Sequence, residues 1–297
     1  MSKTDVHATQ SGTFDIADKS VHRLGFGAMR LTGQGIWGEP DDRAACIAVL
    51  RRAVELGVQL IDTADSYGPH VSEQIIREAL HPYPDDVLIA TKAGLVRHGP
   101  DVWASVGRPE YLRQQAEMSL RRLGLEQLEL FQLHRIDEKV PLADQIGVLT
   151  EMQEEGKIGA IGLSEVTTDQ IDEARKIAEI TTVQNLYNLT TRKSADVVDY
   201  CVREGIGFIP WFPIAAGKLA EPGGPVDEIA QAHDATPAQV ALAWLLARAQ
   251  IIMPIPGTAS VAHLEQNVAA AELRLSREEI DQLTGAEYET DEDDEDV

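Results

Sequence analysis

The feature that most constrains this chain is an alternation running along its whole length. Short apolar runs rich in β-forming residues recur at 22–28, 58–61, 87–91, 128–133, 158–163, 182–184, 206–210 and 251–255. Between them lie stretches with helical spacing, at 41–56, 109–123, 141–155, 168–178, 192–203 and 236–248. In the first of these, Ala45, Val49, Ala53 and Leu56 share one face; Pro109 opens the second and Gly124 follows it; Thr236-Pro237 reads as N-cap then first helical residue. Eight strands with helical crossovers, at roughly 37 residues per unit, predict a closed (β/α)8 barrel. A segment before the first strand, 12–19, predicts a small β-hairpin closing the barrel bottom, and further helices are expected after the last strand. Nothing interrupts the alternation, so residues 1–286 read as one barrel domain. Residues 287–297 carry eight acids and no base and read as a disordered acidic tail.

Composition removes several classes of function. Asp plus Glu is 49 against 26 Lys plus Arg, a net charge of −23, which opposes a nucleic-acid surface. Lysine is scarce, 8 against 18 arginines. That surplus fits a high-salt cytoplasm, where screening removes self-repulsion, and it equally fits an ordinary acidic bacterial enzyme. No apolar run approaches the roughly 20 residues needed to span a bilayer. The polar N-terminus lacks the apolar core of a secretory signal, so a cytoplasmic protein is expected. Cys46 and Cys201 stand far apart with no Cys/His cluster, so neither a disulfide framework nor a metal site is expected.

One motif pulls the other way. Gly33-Gln34-Gly35-Ile36-Trp37-Gly38 matches the glycine pattern of a dinucleotide-binding turn, and Asp62 ends the next strand, where a ribose-binding acid would stand. The third glycine of such a turn packs inside the helix, however, and here Glu39-Pro40 intervene. A loop over the barrel mouth is the better reading.

Barrel chemistry collects at the C-terminal ends of the strands. Read in order, that rim carries Asp62, Lys92, His134, Ser164, Gln184 and Trp211. A lysine ending a buried strand needs a partner, and Asp62 is the nearest acid. Alone, the pair reads equally well as a structural ion pair. Tyr67, five residues after Asp62, can fold back over the strand end. Bringing a phenol from about 10 toward 7 takes about 4 kcal/mol, and one cation at about 4 Å supplies a similar amount at an effective dielectric near 20. Tyr67 is therefore expected to become an acid usable near neutrality. A neutral His134 could donate to a carbonyl oxygen that Tyr67 protonates, or could simply satisfy a backbone carbonyl.

The segments LIDTADSYG, LIATKAG and LFQLHR, which carry Asp62, Tyr67, Lys92 and His134, resemble the catalytic tetrad of the aldo-keto reductases. The likeness continues through IGLSEV, VQNLYN, PWFPIAAGKL and PIPGTASVAHLEQNVAA and covers nearly the whole chain. It implies hydride transfer from NADPH to an aldehyde or ketone, with Tyr67 donating the proton, Lys92 and Asp62 tuning it and His134 orienting the carbonyl. It also implies cofactor contacts from Gly27, Ala28, Met29, Asp62, Ser164, Gln184, Trp211, Pro213, Gly257, Thr258, His263, Gln266 and Asn267. Two departures stand out. Glu165 occupies a position where the family pattern has Asn, and 257–263 hold no Lys or Arg to pair a 2′-phosphate, so NADH or dual use stays open beside NADPH. Trp37 and Trp103 would line an aromatic substrate mouth or merely cover loops. The pattern looks closest to a bacterial branch that includes pyridoxal reductases, which makes pyridoxal or an aryl aldehyde the candidate substrate. The family also contains cofactor-bound potassium-channel β subunits, so a regulatory role is the alternative. The oligomeric state is not legible.

Overall fold

The computed structural model describes residues 6–214, 223–286 and 288, so the acidic tail expected at 287–297 lies outside the described residues except for Tyr288. The chain opens with an antiparallel hairpin, β1 (Thr13–Ile16) and β2 (Lys19–His22). Seven parallel strands follow around one curved sheet: β3 (Phe26–Gly27), β4 (Leu60–Asp62), β5 (Leu88–Ala93), β8 (Leu128–Leu133), β9 (Ile158–Ser164), β10 (Ile180–Gln184) and β11 (Gly207–Phe208). A second hairpin, β6 (Leu95–Gly99) with β7 (Val102–Ser105), rises from the end of β5.

The eighth run, at 251–255, takes its expected place but forms only an isolated bridge. Pro254 and Pro256 have no N–H to donate to a ladder. The run still closes the barrel through backbone atoms. On one side Phe208 N–H donates to Ile251 O and Met253 N–H to Phe208 O, each 2.8 Å; on the other Gly25 N–H donates to Pro254 O (3.0 Å) and Gly27 N–H to Pro256 O (3.3 Å). The first and last strands approach so closely that a Cβ on Gly27 would lie 2.6 Å from Ile255 O, and one on Gly257 would lie 2.5 Å from Gly27 O. Gly27→Ala is expected to cost about 1–3 kcal/mol through forced backbone movement, read as a lower urea midpoint at unchanged slope.

Inside the barrel, Leu60, Leu88, Ala90, Leu130, Ala160, Ile209, Met253 and Ile255 pack together with Ile16 and Val21 of the first hairpin. That hairpin plugs the N-terminal end of the barrel. Lys19 fastens it there, donating to Val87 O (2.9 Å) and pairing with Glu129 (2.6 Å). The run expected at 22–28 is thus divided: His22 ends the hairpin, and Phe26–Gly27 alone join the sheet.

The outer layer comprises α1 (Arg43–Glu55), α2 (Val71–Leu80), α3 (Pro109–Leu123), α4 (Leu142–Glu154), α5 (Thr168–Ala174), α6 (Ala195–Glu204), α7 (Pro225–Ala232), α8 (Pro237–Arg248), α9 (Val261–Ala269) and α10 (Arg277–Gly285). The caps are those the side chains predict. Asp42 accepts from Ala45 N–H, and Thr236 forms a capping box with Gln239. α5 stops at Ala174, short of the expected 178, and α6 begins at Ala195 rather than 192. α9 and α10 are the further helices expected after the last strand. Among the described residues no helix is long and apolar enough to cross a membrane.

Candidate active site

Every rim residue is delivered by a strand end. Gly27 pairs with Asp62 across β3 and β4, Lys92 pairs with Gln132 across β5 and β8, and Ser164 pairs with Gln184 across β9 and β10. Lys92 is fully buried; its Nζ donates to Asp62 Oδ2 (2.6 Å) and to Thr63 O (2.8 Å). The other carboxylate oxygen, Oδ1, accepts from Gln184 Nε2 (2.9 Å) and Gln132 Nε2 (3.2 Å). The buried pair is therefore saturated by hydrogen bonds, which is what allows two charges to sit out of water. Burial works against the Lys92 ammonium, but Asp62 and Tyr67 outweigh it and hold its proton more tightly than usual.

Tyr67 closes over this pair, with Lys92 Nζ 5.2 Å from its ring centre. Its acidity differs from the sequence expectation. Burial pushes the phenol above its usual range; Lys92 and Arg135 pull it down, while Asp62 pushes it up again. One cation does not decide the outcome, because desolvation of the phenolate and the charge of Asp62 both oppose it. An ion pair acts on its neighbour as a dipole, not as a bare cation.

His134 follows β8 and is buried. Burial first, then the cations Lys92 and Arg135, hold its imidazole well below the usual histidine range, so it is neutral at pH 7. Its Nδ1 lies 3.3 Å from Ser66 Oγ. The rings of Tyr67, His134 and Trp103 meet edge to face, with centres 5.8–6.5 Å apart.

These three rings stand on a cavity of about 310 Å³ whose wall also includes Gly27, Met29, Asp62, Ser164, Gln184, Trp211, Pro213 and Gly257. A group resting there would find mixed polar chemistry. Ser164 Oγ accepts from Arg135 (3.2 Å), which leaves its own O–H to donate. Gln184 commits Nε2 to Asp62, which leaves Oε1 as an acceptor. One donor and one acceptor beside the Trp211 ring suit a planar amide.

Residues 23–287 match the aldo/keto reductase family. The chain belongs to that family. It is 53% identical over 282 residues to an oxidoreductase of Schizosaccharomyces pombe, covering 94% of this chain and 92% of the relative. It is 47% identical over 286 residues to pyridoxine 4-dehydrogenase of Escherichia coli, covering 94% and 99%. Among solved structures, an aldo-keto reductase of Klebsiella pneumoniae in complex with NADPH superposes with a TM-score of 0.77 at 27% identity, covering 89% of this chain and 90% of that one.

Within this aldo/keto reductase the residues expected at the site do not all gather in one place. Lys92 lies beneath the cavity, behind Asp62. Ala28 is buried, its N–H bonded to Asp62 O. Thr258, His263, Gln266 and Asn267 follow along the last loop and α9. There Thr258 Oγ1 accepts from Ser260 N–H, and Ser260 caps the helix by accepting from His263 N–H. Trp103 lines the cavity, whereas Trp37 stands outside the wall and is 37% exposed.

Glu165 does more than replace an amide. It sits at φ +52°, and its Oε1 accepts from Trp211 Nε1 (2.6 Å) and Leu186 N–H (2.5 Å), fixing the indole at the cavity wall. Asn185, next along, holds Val166 through both side-chain atoms. Two arginines, Arg135 and Arg97, were missed by sequence reasoning. Arg135 stood in plain view in LFQLHR, directly after the histidine; Arg97 lies on the second hairpin, which no periodicity announced.

Asp65 is a further buried acid in the Tyr67 loop. Its Oδ1 has no partner, and Tyr111 reaches Oδ2 at only 3.4 Å. Burial, then Glu73, raise its carboxyl well above the usual range. The unfolded chain therefore releases this proton first as pH rises, and stability declines from about pH 4 upward through the folded value. Asp65→Asn is expected to flatten that decline, seen as a smaller difference in urea-unfolding free energy between acidic and alkaline buffer than in wild type.

Proposed function

We propose that this protein reduces an aldehyde or ketone to the alcohol with NADPH, residues 1–286 forming one catalytic barrel. The observation that carries the reading is the convergence on one cavity of a buried, saturated Lys92–Asp62 pair, the Tyr67 hydroxyl beside it and an imidazole held neutral. The bound dihydronicotinamide supplies the hydride. Tyr67 donates its proton to the carbonyl oxygen, and the phenolate left behind lies next to the Lys92 ammonium until solvent reprotonates it. In the tautomer this role needs, Nδ1 accepts from the Ser66 hydroxyl 3.3 Å away, and His134 carries its proton on Nε2 and donates a hydrogen bond to the same oxygen as charge develops there. Ser164, Gln184 and Trp211 would hold the cofactor's amide-bearing ring, and Gly27, Met29, Pro213 and Gly257 would continue the slot. The NADPH-bound Klebsiella structure supports that cofactor, although 257–263 offer His263 as their one basic side chain.

The high phenol pKa favours this direction of reaction, since Tyr67 stays protonated throughout the neutral range. The substrate class follows from the wall. Trp103 and the Tyr67 ring suit a flat aryl aldehyde, and the Escherichia coli relative named for pyridoxine supports pyridoxal among these. The test is loss of dihydronicotinamide absorbance with pyridoxal and with benzaldehyde, using NADPH and then NADH. Turnover with an aryl aldehyde, faster with NADPH, is the expected result. Cofactor binding without turnover of any carbonyl would overturn it in favour of a regulatory role.

A further inference from the structure

The glycine-rich loop at 33–38 has no dinucleotide role in a barrel, and its position shows what it serves instead. Gly38 N–H donates to Gly68 O (2.6 Å) and Gly68 N–H to Ile36 O (3.2 Å), so the loop is laced to the residue that follows Tyr67. Gly35 is at φ +66°, and a Cβ there would lie 2.6 Å from Pro100 at the tip of the β6–β7 hairpin. Loop and hairpin are thus packed against each other, the hairpin reaching the cavity wall through Leu95 and Trp103.

Arg97 joins them. Its guanidinium has five N–H donors, and all five are used on backbone carbonyls. Nη1 donates to Ile36 O (2.6 Å) and Ser66 O (3.3 Å), Nη2 to Gly35 O (2.7 Å) and Gly99 O (3.1 Å), and Nε to Val102 O (3.2 Å). Its flat face lies 3.6 Å from the centre of the Trp103 ring, and Trp37 packs at 5.7 Å. Trp103 in turn meets Tyr67 and His134 edge to face. One side chain therefore ties the glycine loop, the Tyr67 loop and the hairpin together and sets the angle of the aromatic wall.

We propose that Arg97 is a positioning residue that determines specificity, holding Trp103 at the mouth so that the cavity accepts a flat aromatic carbonyl. The proposal rests on the reductase reading for its substrate and on the geometry alone for its loop contacts. A planar, five-donor cation is required, because lysine has three donors on a point charge and no face to stack. Losing the clamp frees the Trp103 wall while leaving the Lys92–Asp62–Tyr67 core and the cofactor slot in place. A large flat substrate then loses its binding surface, and a small aliphatic one loses little.

The test compares full-length wild type with Arg97→Ala. In the NADPH assay, KM for benzaldehyde is expected to rise about tenfold or more with kcat changed little, while kcat/KM for propionaldehyde stays within about threefold, because only uniform binding is removed. Amide hydrogen exchange is expected to accelerate in 33–38 and 95–105 and not in the barrel strands. Added methylguanidinium, below denaturing concentration, is expected to restore part of the benzaldehyde KM. Should Arg97→Ala fail to fold, Arg97→Lys is compared in the same way. Equal losses for both aldehydes, or unchanged exchange in the two segments, overturn the proposal. Wild type that turns over neither aldehyde refutes the reductase reading instead, and the exchange comparison then decides the clamp by itself.

Discussion

Tyr67→Phe is expected to lower kcat for aldehyde reduction by about 10³-fold, within the range for loss of a positioned proton donor, with the Kd for NADPH changed by less than about threefold. The substitution removes one oxygen atom. The ring keeps its edge-to-face contact with His134, and the Lys92 ammonium keeps an aromatic face 5.2 Å away. Binding and chemistry should therefore separate cleanly. Fluorescence titration measures the first and single-turnover reduction the second. Turnover within tenfold of wild type would place the proton donor elsewhere. In wild type, the elevated phenol pKa predicts a reduction rate that is flat across the neutral range and falls only as pH passes the usual phenol value of about 10. The reverse oxidation, which needs the phenolate, should rise over the same interval.

Lys92→Met is expected to be the most destabilising single substitution at the site. It leaves a carboxylate that is 2% exposed without its cation, and Thr63 O loses a donor. Breaking one partner of a buried pair costs about 3–5 kcal/mol, a large part of the stability of an ordinary domain. The paired change Asp62→Asn with Lys92→Met removes the stranded charge and keeps an acceptor for Gln184. It should recover most of the lost stability and none of the reductase activity. Urea unfolding of the two single variants and the double variant gives the coupling energy, expected to be well above 1 kcal/mol because the groups touch. Additive effects would mean that Asp62 and Lys92 do not depend on one another.

Those two residues could be read from sequence because burial is written in their neighbours. Lys92 follows five residues that only a buried strand would hold together, and Asp62 ends another such run. The barrel was legible for the same reason, and so were the helices announced by the apolar face Ala45, Val49, Ala53 and Leu56, by Pro109 or by Thr236. α2 has an equally good apolar face in Val71, Ile75, Ile76 and Leu80, yet it was missed. Its N-cap position is held by His70 at φ +71°, which gives no capping signal. The β6–β7 hairpin was invisible because its strands are short and mostly half-exposed, and the arginine that ties it to another loop leaves no period in the sequence. The acidity of Tyr67 was misjudged for a related reason. Proximity to a cation can be inferred from spacing, but the cost of burying a phenolate depends on everything packed around it.

The closure of the barrel has a consequence for how the molecule is made and kept. The seam between Gly25–Gly27 and Pro254–Pro256 joins segments from almost opposite ends of the chain through two backbone bonds, where β8 and β9 share a ladder five residue pairs long. The entropy of so large a loop must be met before that join yields anything, so it is expected to form late in folding. Gly27 and Gly257 also belong to the cavity wall. A molecule lying across them braces a joint that only two strand-to-strand backbone bonds span. Saturation with cofactor should therefore protect the amides of Gly25 and Gly27 more than those of β8, and the empty protein should be cut by protease soonest near its own first strand.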